Sequence, residues 1–410
     1  MHCWPITKET ISERNGVADS RDAGCRAMNI AVPRETRPGE CRVALVPESC
    51  KKLIQAGYTV TLEAGAGDRS FYSDEAYRAA GAMVEPDPAT LLAAADLVLQ
   101  VNAPSLAAGR NEVQWMRPGA VWLGSLMPLR NFDAVRALAA RKVSAYATDA
   151  IPRTTRAQSM DTLSSMNNII GYKGVLLAAN ELNKYFPMLM TAAGMVPPAK
   201  VFVIGAAVAG LQAIATARRL GASVSATDVR PEVKEQIESV GAKYVGIELK
   251  ESAVAGGGYA KELSAEDQTR QRELLAEQCA AVDVVITTAL IGGVFAPRLI
   301  TAEIVAKMRP GSIIVDLAAE GGGNCELSRP GETIEVHGVK ILAPLNIPSS
   351  MPLHASLLFS RNLVAFLQAF TKDKVFEVDL ADDIQQGAII THNGEVVHAR
   401  TKDAMQKAGA

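Results

Sequence analysis

What this sequence has little of narrows its function before any motif is read. Aromatic residues make up only 5% of the 410-residue chain, so no stacking platform for bases stands out. Neither sign of charge dominates: 42 Lys and Arg face 44 Asp and Glu, and no basic run gives an electrostatic reason to expect a nucleic-acid partner. The five histidines (His2, His337, His354, His392, His398) are scattered, and their spacing predicts no metal site. Six cysteines (Cys3, Cys25, Cys41, Cys50, Cys279, Cys325) show no C-x-x-C pair. That pattern predicts reduced thiols in a cytoplasm-like compartment rather than a disulfide framework. No apolar run approaches the roughly 18 residues that suggest a membrane span. The opening "MHCWPITKETISERNGVADSRDAGCRA" has no apolar core of a signal peptide. It reads as a disordered extension over residues 1–27, or as an upstream start read ahead of Met28.

What is there describes an ordinary soluble globular protein, 48% hydrophobic and 21% charged, and long enough for two domains. From Met28 to about Ala150, apolar strand patterns ("MNIAVP", "TVTLEAG", "ADLVLQV", "AVWLGSL", "SAYAT") alternate with helical ones. Such alternation predicts a parallel α/β sheet covered on both faces. A second alternation starts at "AKVFVIG" and runs through "VKILAP". The expected fold is α/β: two Rossmann-like doubly wound domains with a cleft between them, joined by long helices. The first domain is expected over 28–163 plus 353–400, and the second, with its linker helix, over 164–352. "MDTLSSMNNIIGYKGVLLAANELNKYF" and "HASLLFSRNLVAFLQAF" are the two expected crossings. "GAIITHNGEVVHAR" reads as a hairpin turning at Asn393-Gly394.

The first unit has no glycine fingerprint after its first strand; the second has an altered one. In "VFVIGAAVAGLQ", Gly205 and Gly210 hold the outer positions of a dinucleotide-binding turn, and Ala207 replaces the middle glycine. An alanine there predicts weakened or displaced pyrophosphate binding, while the helix N-terminus still offers its N–H groups. The next strand ends at Asp228, which accepts hydrogen bonds from an adenosine ribose, favouring NAD over NADP, or merely begins the next turn or pairs with Arg230. "AGGGYAKE" (255–262) reads as a surface loop or as a lid carrying Tyr259. "IPRTTRAQSMDTLSS" gathers Arg153, Arg156, Gln158, Asp161, Ser164 and Ser165 at the expected junction. Asp161 there either caps the following helix or joins its neighbours in holding a carboxamide. "DLAAEGGGNCE" (316–326) is expected to border the same cleft.

Long words rather than single glycines carry a family likeness: "RAQSMD", "FPMLMTAAGMVPPAKV", "RPEVKEQIESVGA", "GGYAKE", "VITTALI" and "GGNCELSRPGE". From Met28 to about His398 the chain resembles the NAD(H)-binding component, domain I, of proton-translocating NAD(P) transhydrogenases, in the alanine dehydrogenase/transhydrogenase superfamily. The segments where alanine dehydrogenases supply a lysine and a histidine read "LVLQVNAP" and "WLGSLMPLRN" here, with Gln100 and Asn102 and neither catalytic type. Arg42 remains, but it cannot alone do acid–base work. The resemblance implies catalytic roles for Arg153, Gln158 and Asp161 in positioning a nicotinamide. It implies cofactor contacts from Ser164, Gly205, Ala207, Val208, Ala209, Gly210, Asp228, Val229, Arg230, Tyr259, Ala289 and Leu290. It further implies NAD(H) on this chain, NADP(H) on a partner subunit, a homodimer, and membrane-spanning partners that conduct protons at the inner membrane. The reaction class so implied is the Si-face/Re-face specific transhydrogenase. The sequence departs from the family pattern at Ala207, Met166, Asn167, Gly292, Val294 and Phe295. The alternatives are an alanine dehydrogenase-like oxidoreductase and a non-catalytic NAD-binding paralogue.

Overall fold

The computed structural model describes residues 27–247, 264–290 and 296–409. The first six of the first sheet's eight strands are β1 (Asn29–Val32), β2 (Thr59–Glu63), β3 (Met83–Glu85), β4 (Leu97–Leu99), β5 (Val121–Gly124) and β6 (Ser144–Ala147). All run parallel, in the order β3-β2-β1-β4-β5-β6. Helix α1 (Thr162–Glu181) then leads to a second sheet made of β7 (Lys200–Ile204), β8 (Ser223–Thr227), β9 (Lys243–Tyr244), β10 (Val284–Thr287), β11 (Ile313–Asp316), β12 (Thr333–Val336) and β13 (Val339–Leu342). Its order is β9-β8-β7-β10-β11-β13-β12, and only β12 is antiparallel. Both sheets are therefore doubly wound, and in both the strand order reverses beside the first strand.

Burial explains why these strands are near-continuous apolar runs. Ile30 and Val32 enter one buried cluster while Ala31 between them enters another. Val201 and Val203 face away from Phe202 and Ile204 in the same manner. Each sheet thus buries both faces, as covered parallel sheets do.

Helix α2 (Val208–Arg219) follows β7, helix α3 (Ala265–Ala281) precedes β10, and helix α4 (Pro352–Ala369) follows β13. The chain then returns to the first sheet, where β14 (Ile389–His392) pairs antiparallel with β6. Strand β15 (Glu395–Val396) pairs with β14 across Asn393 and Gly394. Both turn residues have positive φ, 50° and 94°, the signature of a tight hairpin turn.

Helix α1 belongs to two cores at once. Its Met166 and Ile169 pack in the cluster shared with β1 and α4, whereas Val175 and Ala178 pack with β7 and α2. Close approach needs glycine here: a Cβ on Gly171 would lie 2.1 Å from the carbonyl oxygen of Ala209. Asp161 starts the helix by accepting the Ser164 N–H at 2.8 Å, the ordinary N-cap bond. Helix α3 was not foreseen, and neither was the two-stranded hairpin of Leu189–Thr191 and Gly194–Val196 within "FPMLMTAAGMVPP", whose Met190 and Met195 are exposed.

Candidate functional site

A cavity of about 860 Å³ opens between the carboxyl ends of the two sheets, where the strand order of each reverses. On the second sheet's side it begins at the turn between β7 and α2. Gly205 has φ 88°, and a Cβ there would lie 2.9 Å from the Thr288 hydroxyl, which donates to the Gly205 carbonyl. A Cβ on Gly210 would lie 1.9 Å from the same carbonyl oxygen. The two outer glycines are thus fixed by strand–helix contact.

Ala207 is different. Its φ of −78° is ordinary for any residue, and its exposed side chain lines the cavity. An alanine costs the backbone nothing here; it takes space on the ligand side. Ala207 is also the N-cap of α2 and supplies no side-chain acceptor, so the helix presents its first turn and positive end to the cavity.

Asp228 follows β8 and carries out the pairing foreseen as its simpler role. Its Oδ1 accepts from the Arg230 backbone N–H at 3.0 Å and from Nε at 2.9 Å. Its Oδ2 accepts from Ala206 N–H at 2.8 Å and from Arg230 Nη2 at 2.9 Å. Asp228, Val229 and Arg230 all line the cavity, so the pair lies within the site. The carboxylate in turn holds the Arg230 guanidinium above its ordinary pKa.

A second brace secures the end of β10. The buried Asn324 carboxamide accepts from Ala289 N–H at 2.9 Å and donates to the Ala289 carbonyl at 2.8 Å and to that of Pro297 at 2.9 Å. Asn324 is placed by the fully buried Asp316, which accepts from the N–H groups of Asn324 and Cys325 and from the hydroxyls of Thr287 and Ser328. Gly323 permits this loop: with φ 88°, its Cβ would lie 2.7 Å from an Asp316 oxygen. Ala289 and Leu290 line the cavity, but both backbone polar groups of Ala289 are already engaged.

The first sheet supplies the opposite wall through Glu40, Arg42, Asn102, Ser125, Met127 and Arg130. Glu40 accepts from Arg42 Nε at 2.8 Å and Nη2 at 2.7 Å, from Asn102 Nδ2 at 2.9 Å and from the Ser349 hydroxyl. Burial alone would raise its pKa, but these donors overcome that and hold it down at about 2. Behind it, Glu35 Oε1 accepts from Val101 N–H at 2.6 Å and Oε2 from Asn102 Nδ2 at 2.9 Å. Burial is the largest influence on Glu35 and pushes its carboxyl up to about 7, with help from the nearby Glu40 charge. Arg130 Nη1 reaches across to donate to the Glu320 carbonyl at 2.8 Å, and within the second unit the Asn346 N–H donates to the Glu320 carboxylate at 2.7 Å.

The junction stretch is only partly in the wall. Arg153 lines the cavity. Gln158 lies exposed on a 3-10 turn (Thr155–Met160), and Asp161 and Ser164 bond to each other, with the Ser164 hydroxyl donating at 2.6 Å. None of these three lines the cavity, and neither do Val208 and Gly210. Arg156 is held at the surface by Asp382 and Asp383. Tyr259 and the stretch containing Gly292, Val294 and Phe295 lie outside the described residues. The "DLAAEGGGNCE" stretch does border the cleft, through Leu317, Ala318 and Glu320.

Several wall residues had no place in the sequence reading: Leu163 and Ile170 on α1, and Gln268, Gln271 and Arg272 on α3. The α1 pair was within reach, because Leu163, Met166, Asn167 and Ile170 follow helical spacing along one face. Chemically, the wall is cationic: seven arginines against three carboxylates, with no histidine, lysine or cysteine among its described residues. It suits a ligand with two or more negative charges. Among the described residues no three His, Cys, Asp or Glu side chains stand close enough to share a metal ion, and no helix is long and apolar enough to cross a membrane.

Comparison with known proteins agrees with this arrangement. Residues 31–170 match the family model described as alanine dehydrogenase/PNT, N-terminal domain, and residues 174–399 match the corresponding C-terminal domain. The chain is 49% identical over 376 residues to an NAD(P) transhydrogenase subunit alpha polypeptide of Rhodospirillum rubrum, covering 90% of this chain and 98% of the relative. A crystal structure of transhydrogenase from Sinorhizobium meliloti superposes with a TM-score of 0.81 at 45% identity, covering 90% of this chain and all of the other. An alanine dehydrogenase of Halomonas elongata is 29% identical over 92% of this chain and 96% of its own length.

Proposed function

The chain belongs to the alanine dehydrogenase/PNT family, and we propose that within it this chain is the NAD(H)-binding component of a proton-translocating NAD(P) transhydrogenase. One observation carries the reading: a cationic cleft at two strand-order reversals, with an uncapped helix N-terminus and no described histidine, lysine or cysteine in its wall. Hydride passage between two nicotinamides needs the rings held close, aligned and dry, and needs no general acid or base. Oxidation of an amino acid does need one.

In this reading the first turn of α2 receives the pyrophosphate, and Asp228 the adenosine ribose. Arg153, with Gln158, Asp161 and Ser164 from the junction, positions the nicotinamide, and Tyr259 closes over it. The bond from the Ser164 hydroxyl to Asp161 supports a coupled pair, since it fixes where both point. NADH held in this cleft would supply a hydride, carrying both electrons, to NADP⁺ on a partner subunit, and the residues of this chain would hold its ring in place and keep water out. The chain acts as a homodimer docked on membrane-spanning subunits, where proton movement is coupled. The name of the relative at 49% identity, a transhydrogenase subunit, supports association with other subunits.

Mixing the purified full chain with the NADP(H)-binding domain of a transhydrogenase and following absorbance of an NADP⁺ analogue tests the proposal. Hydride transfer that requires both proteins is the expected result. Alanine-dependent NADH production without a partner assigns the chain to the alanine dehydrogenase branch instead. NADH binding with neither activity marks a non-catalytic paralogue.

A further inference from the structure

We infer that Arg230 is a latch on the ribose site, which a nucleotide must displace in order to bind. The inference rests on the reading that Asp228 receives the adenosine ribose. A carboxylate offers about four lone-pair positions. At Asp228 four donors already fill them: Ala206 N–H, and the Arg230 backbone N–H, Nε and Nη2, all between 2.8 and 3.0 Å. The carboxylate is 6% exposed and the guanidinium 14%, so water offers the pair little competition. A vicinal diol approaching Asp228 can gain its two hydrogen bonds only by exchange, and the donors able to leave are those of the side chain. The Ala206 and Arg230 N–H groups are fixed by backbone; the guanidinium swings on a flexible stem.

Two consequences follow. Apparent affinity for a nucleotide carries the cost of opening the pair. The opened guanidinium also stays beside the ribose, where a 2′-phosphate would meet a cation rather than a bare carboxylate. Arg230 is therefore a specificity-determining residue acting through Asp228.

Calorimetric titration of NADH and NADPH into the full chain, into Arg230→Ala, Arg230→Lys and Asp228→Asn, and into Arg230→Ala combined with Asp228→Asn tests the latch, with thermal melts to confirm folding. If the open form is populated to between about a tenth and a fifth, Arg230→Ala binds NADH about 5- to 10-fold more tightly than wild type. Binding of NADPH does not tighten in parallel, because its phosphate loses the cation. Arg230→Lys, which keeps the charge but not the planar fork, falls between the two for NADH and also serves if the alanine variant does not fold. Unchanged or weaker NADH binding by both Arg230 variants, with Asp228→Asn weakened, overturns the latch and leaves the ribose site standing. Equal NADH affinity in Arg230→Ala with and without Asp228→Asn overturns the ribose reading, and the latch with it.

Discussion

The two sheets share one order over their first five strands yet end differently at the point where that order reverses. Past β1 and β4, the first unit fills its reversal with its own carboxylates: Glu35 takes the Val101 and Asn102 N–H groups, and Glu40 takes Arg42. Past β7 and β10, the second unit leaves a helix N-terminus facing the cavity, with a carboxylate on the neighbouring strand. Internal anions occupy one switch point; the other is shaped for an external one. Doubly wound topology therefore sets where a ligand can sit, while the first few residues after the strands decide whether one does.

The largest expected effect breaks the second switch point by filling it. Gly210→Ala puts a methyl group 1.9 Å from the Gly205 carbonyl oxygen. It should cost about 1–3 kcal/mol in a denaturant melt and remove NADH binding, since α2 must shift. Asn324→Ala comes next. It leaves the Ala289 N–H and carbonyl without their partner and should cost about 1–3 kcal/mol, with Asn324→Asp recovering only the N–H bond.

The first switch point is sharpened by pH. Because burial raises the Glu35 pKa from 4.5 to about 7, its contribution to stability is full below 4.5 and is lost as pH rises through about 7. Wild type should therefore lose about 3 kcal/mol between pH 4.5 and about 8 relative to Glu35→Gln, whose melts should be flatter across that window. Glu40 has the opposite sign: its stabilisation holds above 4.5 and fades toward pH 2. The smallest effect is that of Ala207→Gly. Removing one methyl from the cavity wall should tighten NADH binding about 2- to 5-fold, read by calorimetry, and equal affinities would show that the methyl does not meet the phosphates.

Much of this architecture was legible because its signals are local. The apolar runs of β7 and β10, the spacing of Gly205 and Gly210 and the acidic end of β8 all lie within short stretches, each with its own physical reason. The bridging role of α1 was equally legible from its length. What escaped depends on contacts between distant parts of the chain. Asn324 meets Ala289 across 35 positions, and Ser349 meets Glu40 across 309. No periodicity announces such pairs. Helix α3, polar along most of its length, was not foreseen as an element, and neither was its place in the wall. For Asp228 the structure shows the pairing with Arg230 and a place in the cavity wall, which is where the proposed ribose contact would be made.

The central claim is that a nucleotide binds at the second switch point and not at the first. Calorimetric titration of NADH into wild type, Asp228→Asn and Glu35→Gln tests it directly. The account predicts that Asp228→Asn weakens binding about 10-fold or more, the loss of charge-assisted hydrogen bonds, while Glu35→Gln stays within about 2-fold of wild type. Strong loss in Glu35→Gln with none in Asp228→Asn would contradict it.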